Sequence, residues 1–334
     1  MRARRTLRNG VAIIAAAAAA FALTASAGGS ISPRADRIAY MSALDGEADI
    51  YSVSPTGLAS FNMTHDDTIG VREDLEPAWS PGGEFVAFQR NVFQKGIPVG
   101  SQIFLVGSDG TKLGALTPLQ KGVVDSHPTW SPDGDGIVFS SDRDGNFDLY
   151  MTQSSGLGPI QLTNSKLGTE NLEPAWSPDG KWIVFTRQQA TVTPSPSSLM
   201  LLNVQKGTIY KLTARVMIGR GDREPAWSPD SKRIAFASDR LGPSLARSTD
   251  LYVINLDGSG LTRVTSLPSN EYHPTFSPYG DQLAFISDRK GVTEIYSLSL
   301  PVPNQDTTTE KIQQITFDGA YKSNPTWHGF GLVH

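Results

Sequence analysis

The chain has 334 residues, 19% of them charged, with a formal net charge of −4 and a pI near 5.8. That balance gives no electrostatic reason to bind nucleic acid or an anionic membrane surface. The absence of cysteine excludes disulfides, thiol catalysis and a lipid-modified N-terminal cysteine, and 32 Gly with 22 Pro suit many short turns better than long helices.

Residues 1–27 read as a cleaved signal peptide. Arg2, Arg4, Arg5 and Arg8 precede an Ala-rich apolar run from Val11 to Leu23, and Ala25-Ser26-Ala27 is a small-x-small cleavage site. The run is too short for a convincing membrane span, and no later stretch approaches one. An exported protein, periplasmic or secreted, with no transmembrane segment is expected. Arg4-Arg5-Thr6-Leu7 leaves both Sec and twin-arginine export open. Residues 28–35 read as a linker, and 36–334 as one repeat-built domain.

The repeat is clearest from His127 to Met151. A short run ends in Trp130, Ser131-Pro132-Asp133-Gly134 turns the chain, and an apolar run spans Gly136 to Ser140. A polar turn from Ser141 to Asn146 leads to Asp148-Leu149-Tyr150-Met151. Such alternation between Pro-Asp-Gly and Asp-Gly turns predicts strands joined by hairpins. The Trp element recurs at Trp79, Trp130, Trp176, Trp227 and Trp327, with Phe276 in the same frame. The spacing of about 50 residues is that of a four-stranded propeller blade. A fourth run ends in Thr at Thr117, Thr163, Thr213, Thr265 and Thr316.

The ends fix the number of blades. Ile38-Ala39-Tyr40, Ile50-Tyr51 and Phe61 to Thr64 are second, third and fourth runs with no Trp element before them; Asn324 to Trp327 is a Trp element with nothing after it. Joined, they complete one blade. The expectation is an all-β, six-bladed β-propeller closed by its C-terminal strand, which leaves no open inner edge and favours a monomer.

Within the blades, three connections between second and third strands are long: 90–101, 187–198 and 238–249. They are candidate recognition loops, the first with Val92, Phe93, Ile97 and Val99. The repeated Trp residues are expected to wedge between blades, each Trp→Ala costing about 3–5 kcal/mol. Asp133, Asp179 and Asp230 suit the hairpin turn. Asp142, Asp144, Asn146 and Asp148 are spaced somewhat like an EF-hand calcium loop, but Gly145 is out of place and Gln153 stands where the closing Glu belongs.

The candidate site precedes the Trp elements. The residue before each Pro is Glu76, His127, Glu173, Glu224, His273 and Asn324. Two positions earlier stand Asp74, Asp125, Asn171, Asp222, Glu271 and Lys322. Sixfold repetition should gather these into two concentric rings at the mouth of the central channel. Glu76, His127, Glu173, Glu224 and His273 offer oxygen and imidazole ligands suited to a divalent cation. Carboxylates about 8 Å apart repel by about 2 kcal/mol at an effective dielectric of 20, so a cation, a basic ligand or arginines must offset them. Arg72, Arg220 and Arg223 lie in the same loops. No cofactor is firmly implied beyond that divalent cation. His65, His328 and His334 have no partner pattern.

Pro-x-Trp-Ser-Pro-Asp-Gly followed by Ser-Asp-Arg and Asp-Leu-Tyr resembles the TolB-type, WD40-like propeller repeat. Trp-Ser-Pro-Asp-Gly is intact at 130–134 and 176–180, and Ser-Asp-Arg at 141–143, 238–240 and 287–289; the resemblance covers residues 37–329. It implies a six-bladed propeller working at the cell envelope. In TolB an α/β domain precedes the propeller; here the repeats begin a few residues after the expected signal, so an isolated propeller without that domain is expected. Related propellers precede the catalytic domain of prolyl-oligopeptidase-type enzymes, but Gly-x-Ser-x-Gly does not occur. The reading is an exported, non-enzymatic platform for a protein or peptide. The alternatives are a lyase or hydrolase using a channel metal, and a carbohydrate-binding propeller.

Overall fold

The structure, a computed structural model, describes residues 36–65, 71–191, 196–214, 221–240, 248–300 and 312–329. The expected signal peptide and linker, Arg220, His334 and the central parts of the second and third long connections lie outside the described residues.

Alternating patterns become six four-stranded antiparallel sheets arranged as a propeller. Blade 1 orders Lys322–His328, Arg37–Ser42, Asp49–Val53 and Phe61–Asn62 from the inside out. Blade 2 follows with Arg72–Trp79, Phe85–Gln94, Ile97–Gly107 and Gly114–Ala115, and blade 3 with Asp125–Trp130, Gly136–Ser141, Asp148–Gln153 and Ile160–Gln161. Blade 4 comprises Thr169–Trp176, Trp182–Gln189, Ser197–Asn203 and Ile209–Lys211. Blade 5 comprises Asp222–Trp227, Arg233–Ser238, Asp250–Asn255 and Thr262–Arg263. Blade 6 comprises Glu271–Phe276, Gln282–Ser287, Glu294–Ser299 and Ile312–Gln314. Blade 1 is the split one. Its C-terminal strand pairs antiparallel with the first, Ile38 opposite Trp327 and Ser42 opposite Lys322.

Each repeat motif has a structural cause. The second strand of every blade buries one aromatic: Tyr40, Phe88, Phe139, Phe185, Phe236 and Phe285. The inner aromatics pack against the blade before. Trp79 meets Ala39, Met41 and Ile50; Trp130 meets Ala87 and Ile103; Trp227 meets Val184 and Leu201; Trp327 meets Ala284 and Ile286. Trp130 and Trp227 also donate their indole N–H to the Ala78 and Ala175 carbonyls of that neighbour, at 3.0 and 2.9 Å. The Thr closing each fourth run accepts the first free N–H of the third strand, as from Ile103 to Thr117, Leu149 to Thr163 and Leu251 to Thr265, at 2.9–3.0 Å. A buried N–H of the third strand is thereby satisfied in every blade. Asp133, Asp179 and Asp230 accept hydroxyls from Ser131, Ser177 and Ser228 in the hairpin turns.

One expectation changes. The connection at 90–101 is a protruding β-hairpin rather than a loop. Arg90 pairs with Gln102, Asn91 with Ser101 and Gln94 with Ile97 around a Lys95-Gly96 turn in which both residues have positive φ. Alternating apolar residues continued the ladder beyond the blade, leaving Ile97 at its exposed tip. Among the described residues no helix is long and apolar enough to cross a membrane.

Candidate functional site

Each innermost strand carries a β-bulge just before its Trp or Phe, seen as a register shift between Leu75 and Ala78, Ser126 and Thr129, Leu172 and Ala175, Arg223 and Ala226, and Tyr272 and Thr275. The residue before the proline takes a left-handed backbone in all six blades: φ is 55° at Glu76, 52° at His127, 54° at Glu173, 56° at Glu224, 48° at His273 and 50° at Asn324. Such a conformation is costly for a non-glycine residue, and a bulge re-aims the side chain it carries. Here the side chains reach the neighbouring blade's ring residue at four of the six junctions: Glu76 to His127, Glu173 to Glu224, Glu224 to His273 and Asn324 to His273.

The contacts run in one direction. Glu76 accepts the backbone N–H of His127 at 2.8 Å, Glu173 that of Glu224 at 2.7 Å, and Glu224 that of His273 at 2.8 Å. His127 Nε2 lies 3.0 Å from Glu76 Oε1, and Asn324 Nδ2 lies 3.2 Å from His273 Nδ1. Burial alone would lower the His127 pKa, but the charge and hydrogen bond of Glu76, joined by the charges of Glu173 and Glu224, push it up to about 9. Burial would raise Glu76, yet His127 and then His273 hold it below the usual carboxylate range. Glu224 has Arg223 at 3.4 Å. Glu173 differs: its Oε2 accepts the Thr186 hydroxyl and the Glu224 N–H, both at 2.7 Å, and no cationic side chain pairs with it among the described residues.

The second predicted ring is not at the channel. Asp74, Asp125, Asn171, Asp222, Glu271 and Lys322 are fully buried behind the first. Most are held by an arginine that the sequence reading left out, the one in Ser-Asp-Arg or its counterpart. Arg90 is bidentate on Asp74 at 2.7 Å, Arg143 binds Asp125 at 2.7 and 2.9 Å, and Arg240 grips Asp222 at 2.5 and 2.8 Å. Each guanidinium also lies over the blade's aromatics, Arg143 at 5.0 Å from Tyr150 and Arg90 at 4.5 Å from Phe104. Arg72 joins Asp74 to Asp49 of blade 1 at 2.7 and 2.8 Å. The Asp of Ser-Asp-Arg accepts a backbone N–H at the entry to the innermost strand: Asp142 from Val124, Asp239 from Gly221 and Asp288 from Asn270. These motifs are scaffold.

The calcium-like set is likewise spent on scaffold. Asp144 accepts the Tyr150 hydroxyl at 2.6 Å, Asn146 donates to Ser165, and Asp148 accepts from Asn171. His328 lies 5.7 Å from Trp79, and burial lowers its pKa. Among the described residues, the ring as it stands does not bring three carboxylate or imidazole ligand atoms within 4.8 Å of one another. Asp45, Asp49 and His65 do, where Arg72 already holds Asp49 at 2.8 Å.

A closed ring of six blades with a polar, carboxylate-bearing inner girdle defines the class: a repeat-built propeller whose blade motifs are scaffold and whose bulged strands carry the variable chemistry. The chain belongs to the TolB β-propeller family, whose domain model, TolB beta propeller domain, matches residues 30–214 and 225–332. Among solved structures it is similar to TolB from Acinetobacter baumannii (20% identity, TM-score 0.66, covering 87% of this chain and 66% of that one). It is similar also to the oligogalacturonate lyase of Vibrio parahaemolyticus (15% identity, TM-score 0.53, covering 78% and 74%). Both likenesses are of fold. Over 175 residues it is 28% identical to the uncharacterized peptidase YuxL of Bacillus subtilis (strain 168), a match that takes in 52% of this chain but 23% of that protein.

Proposed function

We propose that this chain is an exported, non-enzymatic binding propeller of the cell envelope, whose protein or peptide partner places a basic group at the channel ring. The observation that carries the reading is Glu173. Every buried carboxylate of the second ring except Glu271 has a close cationic partner, and in the first ring Glu76 has His127 and Glu224 has Arg223. Within the first ring Glu173 alone has no cationic side chain paired with it among the described residues. A lysine, an arginine or an N-terminal amine supplies the missing charge. The peptidase name of the B. subtilis relative belongs to a protein that is mostly outside the match, so a hydrolytic role gains little from it.

The decisive measurement is capture from envelope extract of the producing organism on immobilised residues 28–334, wild type against Glu173→Gln. A specific partner should be retained by the wild type, be released by raised salt, and be lost or strongly reduced on the variant. Equal capture by both proteins would overturn the assignment of the ring.

A second reading places a divalent cation in the ring, favoured by its excess of carboxylates. To bind it, His127 must surrender the proton that Glu76 holds there, so metal affinity should rise steeply with pH. A melting temperature unmoved by chelation and by added manganese or zinc at pH 8.5 would end that reading, and the metal-dependent lyase or hydrolase with it.

A further inference from the structure

Trp182 is the one tryptophan of the six that the repeat does not explain. It opens the second strand of blade 4, where the other blades have Arg37, Phe85, Gly136, Arg233 and Gln282. Tyr210 sits on the outermost strand opposite Leu201, a position held elsewhere by Phe61, Gly114, Ile160, Thr262 and Gln313. Only blade 4 has aromatic residues at both positions. Their rings meet edge to face at 5.8 Å and 70°, and Tyr210 is 48% exposed. They form a corner of a groove of about 660 Å³ between blades 4 and 5, whose lining includes Lys211, Lys232, Asn255 and Asp257. That volume lies in the range of small-ligand sites.

We propose that this groove binds a short anionic saccharide. The apolar C–H face of a pyranose ring matches the electron-rich face of an aromatic ring, and two rings inclined at 70° give it a floor and a wall. Neither Lys211 nor Lys232 forms a salt bridge among the described residues, and only Asp230 beside Lys232 tempers their charge, which leaves two ammonium groups for sugar carboxylates. The groove's one acid, Asp257, is occupied: its carboxylate accepts the Ser259 N–H at 2.9 Å and hydroxyl at 2.6 Å. Those hydrogen bonds keep Asp257 ionised, so the two lysines of the lining outnumber its acid by one charge, on a protein whose net charge is −4. The site is separate from the channel ring and stands or falls independently of it.

The test is titration of the folded chain with trigalacturonate, read by tryptophan fluorescence and calorimetry. Maltotriose serves as the neutral control and triglutamate as the anionic non-sugar. Saturable binding of trigalacturonate alone is expected, weakened about tenfold or more by Lys211→Gln with Lys232→Gln, as for loss of charge-assisted contacts. Tyr210→Ala should abolish it with the melting temperature little changed, because that ring is half in solvent. Trp182→Ala should remove the fluorescence response. No binding of trigalacturonate, equal binding of maltotriose or triglutamate, or affinity unaffected by Tyr210→Ala would each overturn the proposal.

Discussion

Replacing Glu271 with Asn should stabilise the protein above neutral pH and leave it nearly unchanged below pH 5. The reason is a rule of charge matching between blades. The third strand of each blade presents Asp49, Ser101, Asp148, Ser197, Asp250 or Glu294 to the innermost strand of the next. Where it presents Ser, the neighbour is Asp: Ser101 and Ser197 donate to the carbonyls of Asp125 and Asp222 at 2.8 Å. Where it presents an acid, the neighbour supplies a donor: Arg72 on Asp49 at 2.8 Å, Asn171 on Asp148 at 2.7 Å, and Lys322 on Glu294 at 3.2 Å. Between blades 5 and 6 the rule fails, because Asp250 is followed by Glu271. Arg263 holds Asp250 at 2.6 Å, while Arg289 stays 3.5 Å from Glu271 and Glu271 Oε2 is buried without a partner. Burial, opposed by Ser269, Ser287 and Arg289 and reinforced by Asp250, pushes the Glu271 pKa up to about 7 from 4.5. The unfolded chain then binds fewer protons than the native state between these values. Stability attributable to this group is unimpaired below pH 4.5, falls as pH rises, and is lowered by a constant amount above 7, at most about 3 kcal/mol. Asn copies the Asn171 solution and carries no charge. Urea unfolding of wild type and variant at pH 5, 6, 7 and 8 should give a difference that grows with pH in the variant's favour. A difference of the same size at pH 5 and pH 8, or of opposite sign at pH 8, would refute the mismatch.

Other expectations follow from closure, the ring and export. A chain ending at Lys322 loses the Trp327 wedge and uncovers the edge from Ile38 to Met41; it should aggregate or melt well below the full chain, and monomeric elution with an unchanged melt would contradict a ring closed by that strand. Raising the His127 pKa to about 9 from 6.5 adds stability that is complete below pH 6.5 and is lost as pH climbs through 9; Glu76→Gln, which removes the main cause, should flatten the stability profile over that window, and an unaltered slope would show the pair to be inert. N-terminal sequencing of the protein from its producing organism should begin at Gly28, and a mature fraction beginning at Met1 would end the exported reading.

Much of this architecture could be read in the sequence because each blade repeats the same solution. Trp130, the Asp133 turn and the Thr163 run each stand at a position where six strands face the same packing problem, so a pattern of residue types is also a pattern of contacts. The split first blade was legible for the same reason: Ile38 and Trp327 are two parts of one unit. Partners were not legible. Asp74 and Glu76 are two residues apart, and in a regular strand both would face the same side. The bulge between Leu75 and Ala78 turns Glu76 to the axis and leaves Asp74 buried against Arg90, and nothing in residue type marks a left-handed backbone at a glutamate. Nor does spacing show that Arg143, eighteen positions on, would reach Asp125. Trp182 escaped notice because it matches no repeat position, although that mismatch was the available signal.

The left-handed residues of the ring bear on what the propeller is for. Each costs about 1–2 kcal/mol as a non-glycine residue, and glycine would adopt the same backbone without that strain, yet none of the six is glycine. Some of the cost is offset within the scaffold, since Glu76, Glu173 and Glu224 satisfy the backbone N–H groups of His127, Glu224 and His273. That use needs one carboxylate oxygen per residue. At Glu76 the second oxygen is taken by His127, and at Glu224 by Arg223. At Glu173 the scaffold uses Oε2 twice, and no cationic side chain pairs with either oxygen among the described residues. An amide there could still accept the Glu224 N–H and the Thr186 hydroxyl. Stability therefore asks for an acceptor at position 173, but not for a charge, and the charge is what a basic ligand would read.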